Sequence, residues 1–226
     1  MAKKKLERFA QLTTFDHVIE AVIDNESVPE HAYKGNWNKT FFKNDHPIIL
    51  ELGCGKGEYT VGLAEKYPNK NFIGLDIKGN RMWVGAQAAL DKNLTNVAFV
   101  RTRIDFIRSF FGKDEIDEIW LTFSDPQPGK ENKRLSSQNF IERYREVLKP
   151  KGIIHLKTDS DLLFEYTDKQ IKKHNYTSLQ STRDLYHEMP EDLDTETQEI
   201  LQIKTHYEQL FTARGFKIKY CKFQID

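Results

Sequence analysis

Five apolar runs of strand length punctuate this chain: PIILEL (47–52), NFIGLD (71–76), NVAFV (96–100), EIWLTF (118–123) and GIIHLK (152–157). Each is short and nearly continuous, the pattern of a strand buried on both faces. Between them the apolar spacing becomes helical. GEYTVGLAEKY (57–67) and the stretch 79–92 have it, and SSQNFIERYREVLK (136–149) sets Phe140, Ile141, Tyr144, Val147 and Leu148 on one side. That pattern opens at a serine and stops at Lys149-Pro150-Lys151-Gly152, a helix-ending signal. Strand alternating with helix leaves few folds to choose from. It predicts an open parallel sheet with helices on both faces. GFKIKYCKFQI (215–225) alternates apolar and polar residues instead, which predicts an antiparallel, half-exposed strand. Residues 1–46 precede the first core strand and read as a helical, loop-rich extension of one domain spanning 1–226.

Composition narrows the function classes. No stretch approaches the roughly 18 apolar residues of a membrane span, and MAKKKLERF lacks the apolar core of a signal peptide. Two cysteines, Cys54 and Cys221, make no disulfide framework, so a reduced, cytoplasmic chain is expected. The seven histidines never fall at close ligand spacing, and no metal site is expected. Thirty-four basic residues balance thirty-four acidic ones, but the charge is segregated. Lys3, Lys4, Lys5 and Arg8 crowd the first eight residues, and 130–151 holds seven basic residues against three acids, whereas 188–199 holds six acids and no base. Among the basic residues, Lys130, Lys133 and Arg134 directly follow the loop that begins at Asp125 and are the expected phosphate contacts, independent of sequence and weakened by salt.

In open parallel sheets, ligands sit at the carboxyl ends of the strands where the strand order reverses. Gly53-Cys54-Gly55-Lys56-Gly57 lies at that end of the first core strand. A dinucleotide fingerprint needs glycine at 58, where this chain has Glu58, and a phosphate loop ending in Gly-Lys-Ser/Thr is absent. Glu51 argues further against pyrophosphate, since a carboxylate beside a phosphate in a dry pocket repels it. The same carboxylate suits a ligand carrying an ammonium and a sulfonium. Asp76, ending the second run, is placed to accept from ribose hydroxyls. Acid, three glycines, acid: the pattern favours S-adenosylmethionine, with Lys56 expected to point outward. The plain alternative is a tight strand-to-helix turn with Asp76 as a helix cap.

ELGCGKGE (51–58), LTFSDPQPGKENKRL (121–135), HLKTDSDLLFEY (155–166) and THYEQLFTARG (205–215) together resemble the bacterial tRNA (guanine-N7)-methyltransferase family, over the chain from about residue 30 to its end. The resemblance implies a Rossmann-like class I methyltransferase fold: a mostly parallel seven-stranded sheet with an antiparallel C-terminal strand and helices on both faces. It implies methyl transfer from S-adenosylmethionine to N7 of guanine 46 in the variable loop of tRNA, leaving S-adenosylhomocysteine, with no metal. Membrane and DNA partners are not expected, and the chain would act as a monomer or homodimer. The cofactor site would comprise Glu51, Gly53, Gly55, Asp76, Arg103, Ile104 and Asp125, with Asp125 also the catalytic residue. The family's usual Asp-Ala or Asn-Ala after the third run is Arg103-Ile104 here. Either Arg103 serves the adenine pocket through its backbone or Asp105 takes over. The family's Asp-Pro-Trp-Pro is Asp125-Pro126-Gln127-Pro128, and Lys130 stands in for its substrate-contacting lysine. Asp159, Thr205, His206, Tyr207 and Glu208 match its other substrate residues. Asp159 also suits the N-cap of the helix that follows it.

Guanine N7 carries an in-plane lone pair and no proton. The expected duty of Asp125 is therefore to position, by accepting hydrogen bonds from guanine or from the cofactor's ammonium, rather than to remove a proton. A methyltransferase acting on another RNA, a protein or a small molecule is an open alternative, because this fold hosts many chemistries. A non-enzymatic RNA-binding module is another.

Overall fold

A computed structural model describes residues 2–21, 27–190 and 193–225, the side chains of 2–5 and 206 excepted. In chain order the first half gives α1 (Ala2–Leu12), β1 (Val18–Glu20), β2 (Ile48–Leu52), α2 (Glu58–Lys66), β3 (Asn71–Asp76), α3 (Gly79–Asp91), β4 (Val97–Arg101), α4 (Ile107–Phe110) and β5 (Ile116–Thr122). The second half gives α5 (Gln138–Val147), β6 (Leu148–Thr158), α6 (Asp161–Lys173), β7 (Thr177–Thr182), α7 (Thr195–Leu201), α8 (His206–Ala213) and β8 (Lys219–Gln224). All five apolar runs are strands. Successive side chains of a strand point to opposite faces, so each of the first four runs feeds two apolar clusters, while the fifth gives Ile154 and Leu156 to one and buries His155 and Lys157 on the other side. Leu50, Ile73, Val100 and Ile119 enter one apolar cluster. Ile49, Phe72, Phe99 and Trp120 enter the other. That is why the runs read as continuous rather than alternating.

The strand order is β1-β4-β3-β2-β5-β6-β8-β7. Neighbours from β1 to β6 pair parallel, and β8 runs antiparallel between β6 and β7. The expected antiparallel C-terminal strand is present. The sheet has eight strands rather than the expected seven, because β1 adds an edge strand against β4. Chain direction across the sheet reverses between β2 and β5, which opens a crevice at their carboxyl ends.

The described residues before β2 are stitched to the sheet. Leu12, Ile19, Trp37 and Phe42 are buried. Arg101 on β4 pairs with Glu20 at 3.1 Å and lies over the Phe9 ring at 4.6 Å. The Trp37 indole N–H donates to the Phe110 carbonyl at 2.8 Å, and Glu115 accepts from the backbone N–H groups of Gly35, Trp37 and Gly112. The helix expected from 136–149 runs over Gln138–Val147, with β6 beginning directly at Leu148. Among the described residues no helix is long and apolar enough to cross a membrane.

Candidate active site

A cavity of about 660 Å³ opens over the carboxyl ends of β2, β3, β5 and β6. Its floor starts at the turn after β2. Gly53, Gly55 and Gly57 all have left-handed backbones, at φ +79°, +56° and +70°. A Cβ at Gly53 would project into open space, so the backbone there can approach a ligand closely. A Cβ at Gly57 would strike the Phe99 ring at 2.7 Å, so that glycine serves packing. Asp76 braces the turn. Its Oδ2 accepts from the Gly55 N–H at 2.9 Å and its Oδ1 from the Lys78 N–H at 2.7 Å. Each oxygen thus keeps acceptor capacity, and the side chain lines the cavity.

Glu51 lies deeper, 4 % exposed. Its Oε2 accepts from the Thr60 backbone N–H at 3.0 Å and from the Thr60 hydroxyl; its Oε1 accepts from the Thr122 hydroxyl. Burial pushes its carboxyl up to about 7, against the pull of those hydrogen bonds. The threonines at 60 and 122 carry no motif signal in the sequence. Lys56 is among the residues of the cavity wall.

The segment after β5 brings Asp125 to the cavity as an exposed side chain whose Oδ1 accepts from the Gln127 N–H at 2.9 Å. Phe123 and Gln127 hold left-handed backbones, at φ +49° and +46°. Arg134 pins this segment from behind. Its Nε donates to the Pro126 carbonyl at 3.0 Å and its guanidinium lies 4.4 Å from the Tyr166 ring centroid. With 3 % exposure Arg134 is a latch, which corrects its reading as a phosphate contact. Lys133 lines the cavity, whereas Lys130 is exposed outside the wall.

After β6, Asp159 lines the cavity and burial raises its carboxyl above the usual range. The N-cap role goes to Ser160, whose hydroxyl accepts from the Leu163 N–H at 3.2 Å, and Asp159 is not spent on it. Thr205, Tyr207 and Phe211 complete the wall. The side chain of His206 lies outside the described residues. Glu208 turns away from the cavity. It is 0 % exposed, shares a capping box with Thr205, accepts from the Tyr186 hydroxyl and pairs with the equally buried Lys157 at 2.9 Å. Lys157 also donates to the Leu201 and Ile203 carbonyls, at 2.8 and 3.2 Å. Burial lowers the Lys157 ammonium to about 8, with Glu208 opposing the shift. Glu208 therefore sits where it can fix the segment carrying Thr205 and Tyr207, and not where a substrate can touch it.

A second recess of about 200 Å³ adjoins the first and shares Gly53, Asp76, Ile77, Ile104 and Leu135 with it. Ile104, Leu135 and Phe140 give it apolar sides. Arg103 lines this recess and not the main cavity; its side chain is tied to Asp105 at 3.2 Å. The cavity is lined by five carboxylates, from the buried Glu51 through Glu58, Asp76 and Asp159 to the exposed Asp125, and by Lys56, Lys78, Arg81 and Lys133, of which Lys78 and Lys133 are exposed. Carboxylates in a cavity suit a cationic small molecule, and exposed lysines at its wall suit a polyanion.

Residues 45–221 match a family model for methyltransferases. The chain is 53 % identical over 228 residues to the tRNA (guanine-N(7)-)-methyltransferase of Bacteroides thetaiotaomicron, a match covering 100 % of this chain and 87 % of that protein. It is 45 % identical to the tRNA (guanine-N(7)-)-methyltransferase of Christiangramia forsetii, with 99 % of each covered. Among solved structures, the 16S rRNA methyltransferase KamB aligns with a TM-score of 0.64 at 14 % identity, covering 91 % of this chain and 99 % of that one. A likeness at that identity speaks to the fold alone.

Proposed function

The chain belongs to the tRNA (guanine-N7)-methyltransferase family, and on that premise we propose that the guanine it methylates is residue 46, in the variable loop, with the 226 residues acting as one cytoplasmic methyltransferase unit. Methylation of guanine N7 in tRNA, at the expense of S-adenosylmethionine, is the activity of the family. The observation that carries the reading is the pairing of full-length identity with a cavity at the sheet's reversal point, floored by glycines and lined by five carboxylates.

The residues fit S-adenosylmethionine. The open space above Gly53 admits a ligand against the backbone. Asp76, held by two backbone N–H groups, presents acceptors of the kind that ribose hydroxyls need. The apolar recess lined by Arg103 and Ile104 suits an adenine ring. Glu51 supplies negative charge beneath the ligand's cationic end. When bound, the cofactor offers an electrophilic methyl: the N7–methyl bond forms as the sulfur–methyl bond breaks, and the positive charge passes from sulfur to the purine.

This chain's own residues position and desolvate. N7 needs no base, so Asp125 and Asp159 serve as acceptors for the donor edge of guanine or for the ammonium. Thr205 and Tyr207 bound the base, and Lys130 and Lys133 meet phosphates at the mouth. Glu208 is left out of the contact set because its carboxylate is spent on Lys157, Tyr186 and Thr205. The deciding experiment incubates purified protein with unmodified tRNA transcripts and radiolabelled cofactor, then maps the modified base. The expected outcome is N7 methylation at guanine 46, with turnover reduced about a hundredfold or more in Asp125→Asn. Label on another base, or undiminished turnover in the variant, overturns the assignment.

A further inference from the structure

One part of the cavity wall is aromatic, and of its residues only Tyr207 has been given a role. Phe123, Tyr207 and Phe211 all line the cavity, and all three are only half-buried. The Phe211 ring lies 6.5 Å from Phe123 at an interplanar angle of 27°, and 6.4 Å from Tyr207 at 24°. Rings that close admit no base between them, and the planes of Phe123 and Tyr207 each lie within 27° of the Phe211 plane, so a base can stack only on the outer side of the group. Phe216, 49 % exposed, meets Phe211 edge-on at 6.0 Å and extends the apolar surface outward. The Arg81 guanidinium lies 5.6 Å from the Tyr207 ring centroid.

Core packing accounts for only part of this wall: Phe123 packs against one apolar cluster, whereas Tyr207 and Phe211 belong to neither. A core ring buries both faces, and these rings leave surface in the cavity. Phe123 moreover holds φ +49°, a backbone that a bulky residue adopts only at a cost, and such outliers gather at ligand sites.

We propose that Phe211, flanked by Phe123 and Tyr207, is the platform on which the target guanine stacks once it has left its own stack in tRNA. The inference rests on the guanine-N7 reading above and adds residues to it. Three arguments favour a purine as the occupant. Enzymes that modify a base in structured nucleic acid must extrude it, and an aromatic face replaces the stacking that is lost. The carboxylates of Asp125 and Asp159 share the cavity with the rings, so a flat ligand with donor groups on its edge finds a face and acceptors in one enclosure. The reaction also makes the base cationic, and the negative face of an aromatic ring attracts a cation more than a neutral base. Stacking here therefore strengthens toward the transition state, which is the condition for an interaction to raise the rate.

The test crosses three proteins, wild type, Phe211→Leu and Phe211→Tyr, with two tRNA transcripts, one carrying guanine at the target position and one abasic there. Leucine keeps apolar bulk and removes the π face; tyrosine restores it. Phe211→Leu is expected to bind the guanine transcript about tenfold more weakly and to methylate it at least tenfold more slowly in single turnover. It should bind the abasic transcript as the wild type does, keep its affinity for S-adenosylmethionine, and be rescued in Phe211→Tyr. Equal weakening toward both transcripts would show that the ring supports the fold or the backbone contacts, and would overturn the platform. Wild-type behaviour of Phe211→Leu would overturn it as well. A wild type that leaves the guanine transcript unmethylated defeats the functional reading and the platform with it.

Discussion

Glu51 is a carboxylate taken out of water and answered only by hydroxyls and one amide N–H, so its proton is held more tightly in the folded chain than in the unfolded one. Its pKa rises from 4.5 to about 7. Between those values the folded state keeps a proton that the unfolded state has lost, and this group's contribution to stability falls as pH rises through the window, by up to about 3 kcal/mol. A cationic ligand reverses the preference, because it favours the ionised form. Calorimetric titration with S-adenosylmethionine should therefore show affinity increasing from pH 6 to pH 8 in the wild type. Glu51→Gln should flatten that rise, and its apo form should gain thermal stability on the wild type at pH 8 but not at pH 5. A parallel pH dependence in both proteins would place the titrating group elsewhere. Glu51 and Asp76 stand out in the sequence because each is welded to a strand end. Arg134 does not, since a run of basic residues says nothing about which one is folded under. Its guanidinium finds the Pro126 carbonyl and the Tyr166 face only after β5, α5 and α6 have assembled.

At the level of elements, α8 is held by charge as much as by apolar contact. Lys157 on β6 reaches across to Glu208 and to the carbonyls that end α7, with neither charged group exposed. Removing one partner strands the other charge in a dry site, which costs about 3–5 kcal/mol, whereas replacing both by apolar groups costs much less. Lys157→Met should accordingly lower stability in urea by that amount and raise the KM for tRNA, because Thr205 and Tyr207 ride on the loosened segment. Lys157→Met combined with Glu208→Leu should regain most of the stability. Additive losses in the double variant would show that the two side chains act independently. The sequence shows Thr205 and Glu208 at capping-box spacing but not Lys157, which lies 51 positions before its partner. The strand β7 escapes reading for a different reason. TSLQST is an exposed edge strand, and most of its residues face water, so it lacks the apolar run that marks its neighbours.

Across the whole molecule, the doubly wound sheet is legible because five runs are buried on both sides, and the additions at its rims are not. The three residues of β1 form too short a run to signal a strand, yet with α1 they cover one edge of the sheet and the face of α3. Leu12 and Ile19 alone contribute burial of about 3–6 kcal/mol. Deleting residues 1–21 should therefore shift the urea midpoint sharply downward and slow methylation through lost folded protein; an unchanged midpoint would mark the segment as dispensable. The opposite rim carries a consequence for synthesis. The final strand, β8, is inserted between β6 and β7, so β7 has no hydrogen-bonding neighbour until Lys219–Gln224 arrives. Domains begin to fold from the N-terminal side as they emerge. On the ribosome this chain can close the half built on β1 to β4 while β7 waits. The sheet is completed only when Lys219–Gln224 slides between two strands made before it, so the pairing of β7 waits on residues synthesised well after its own.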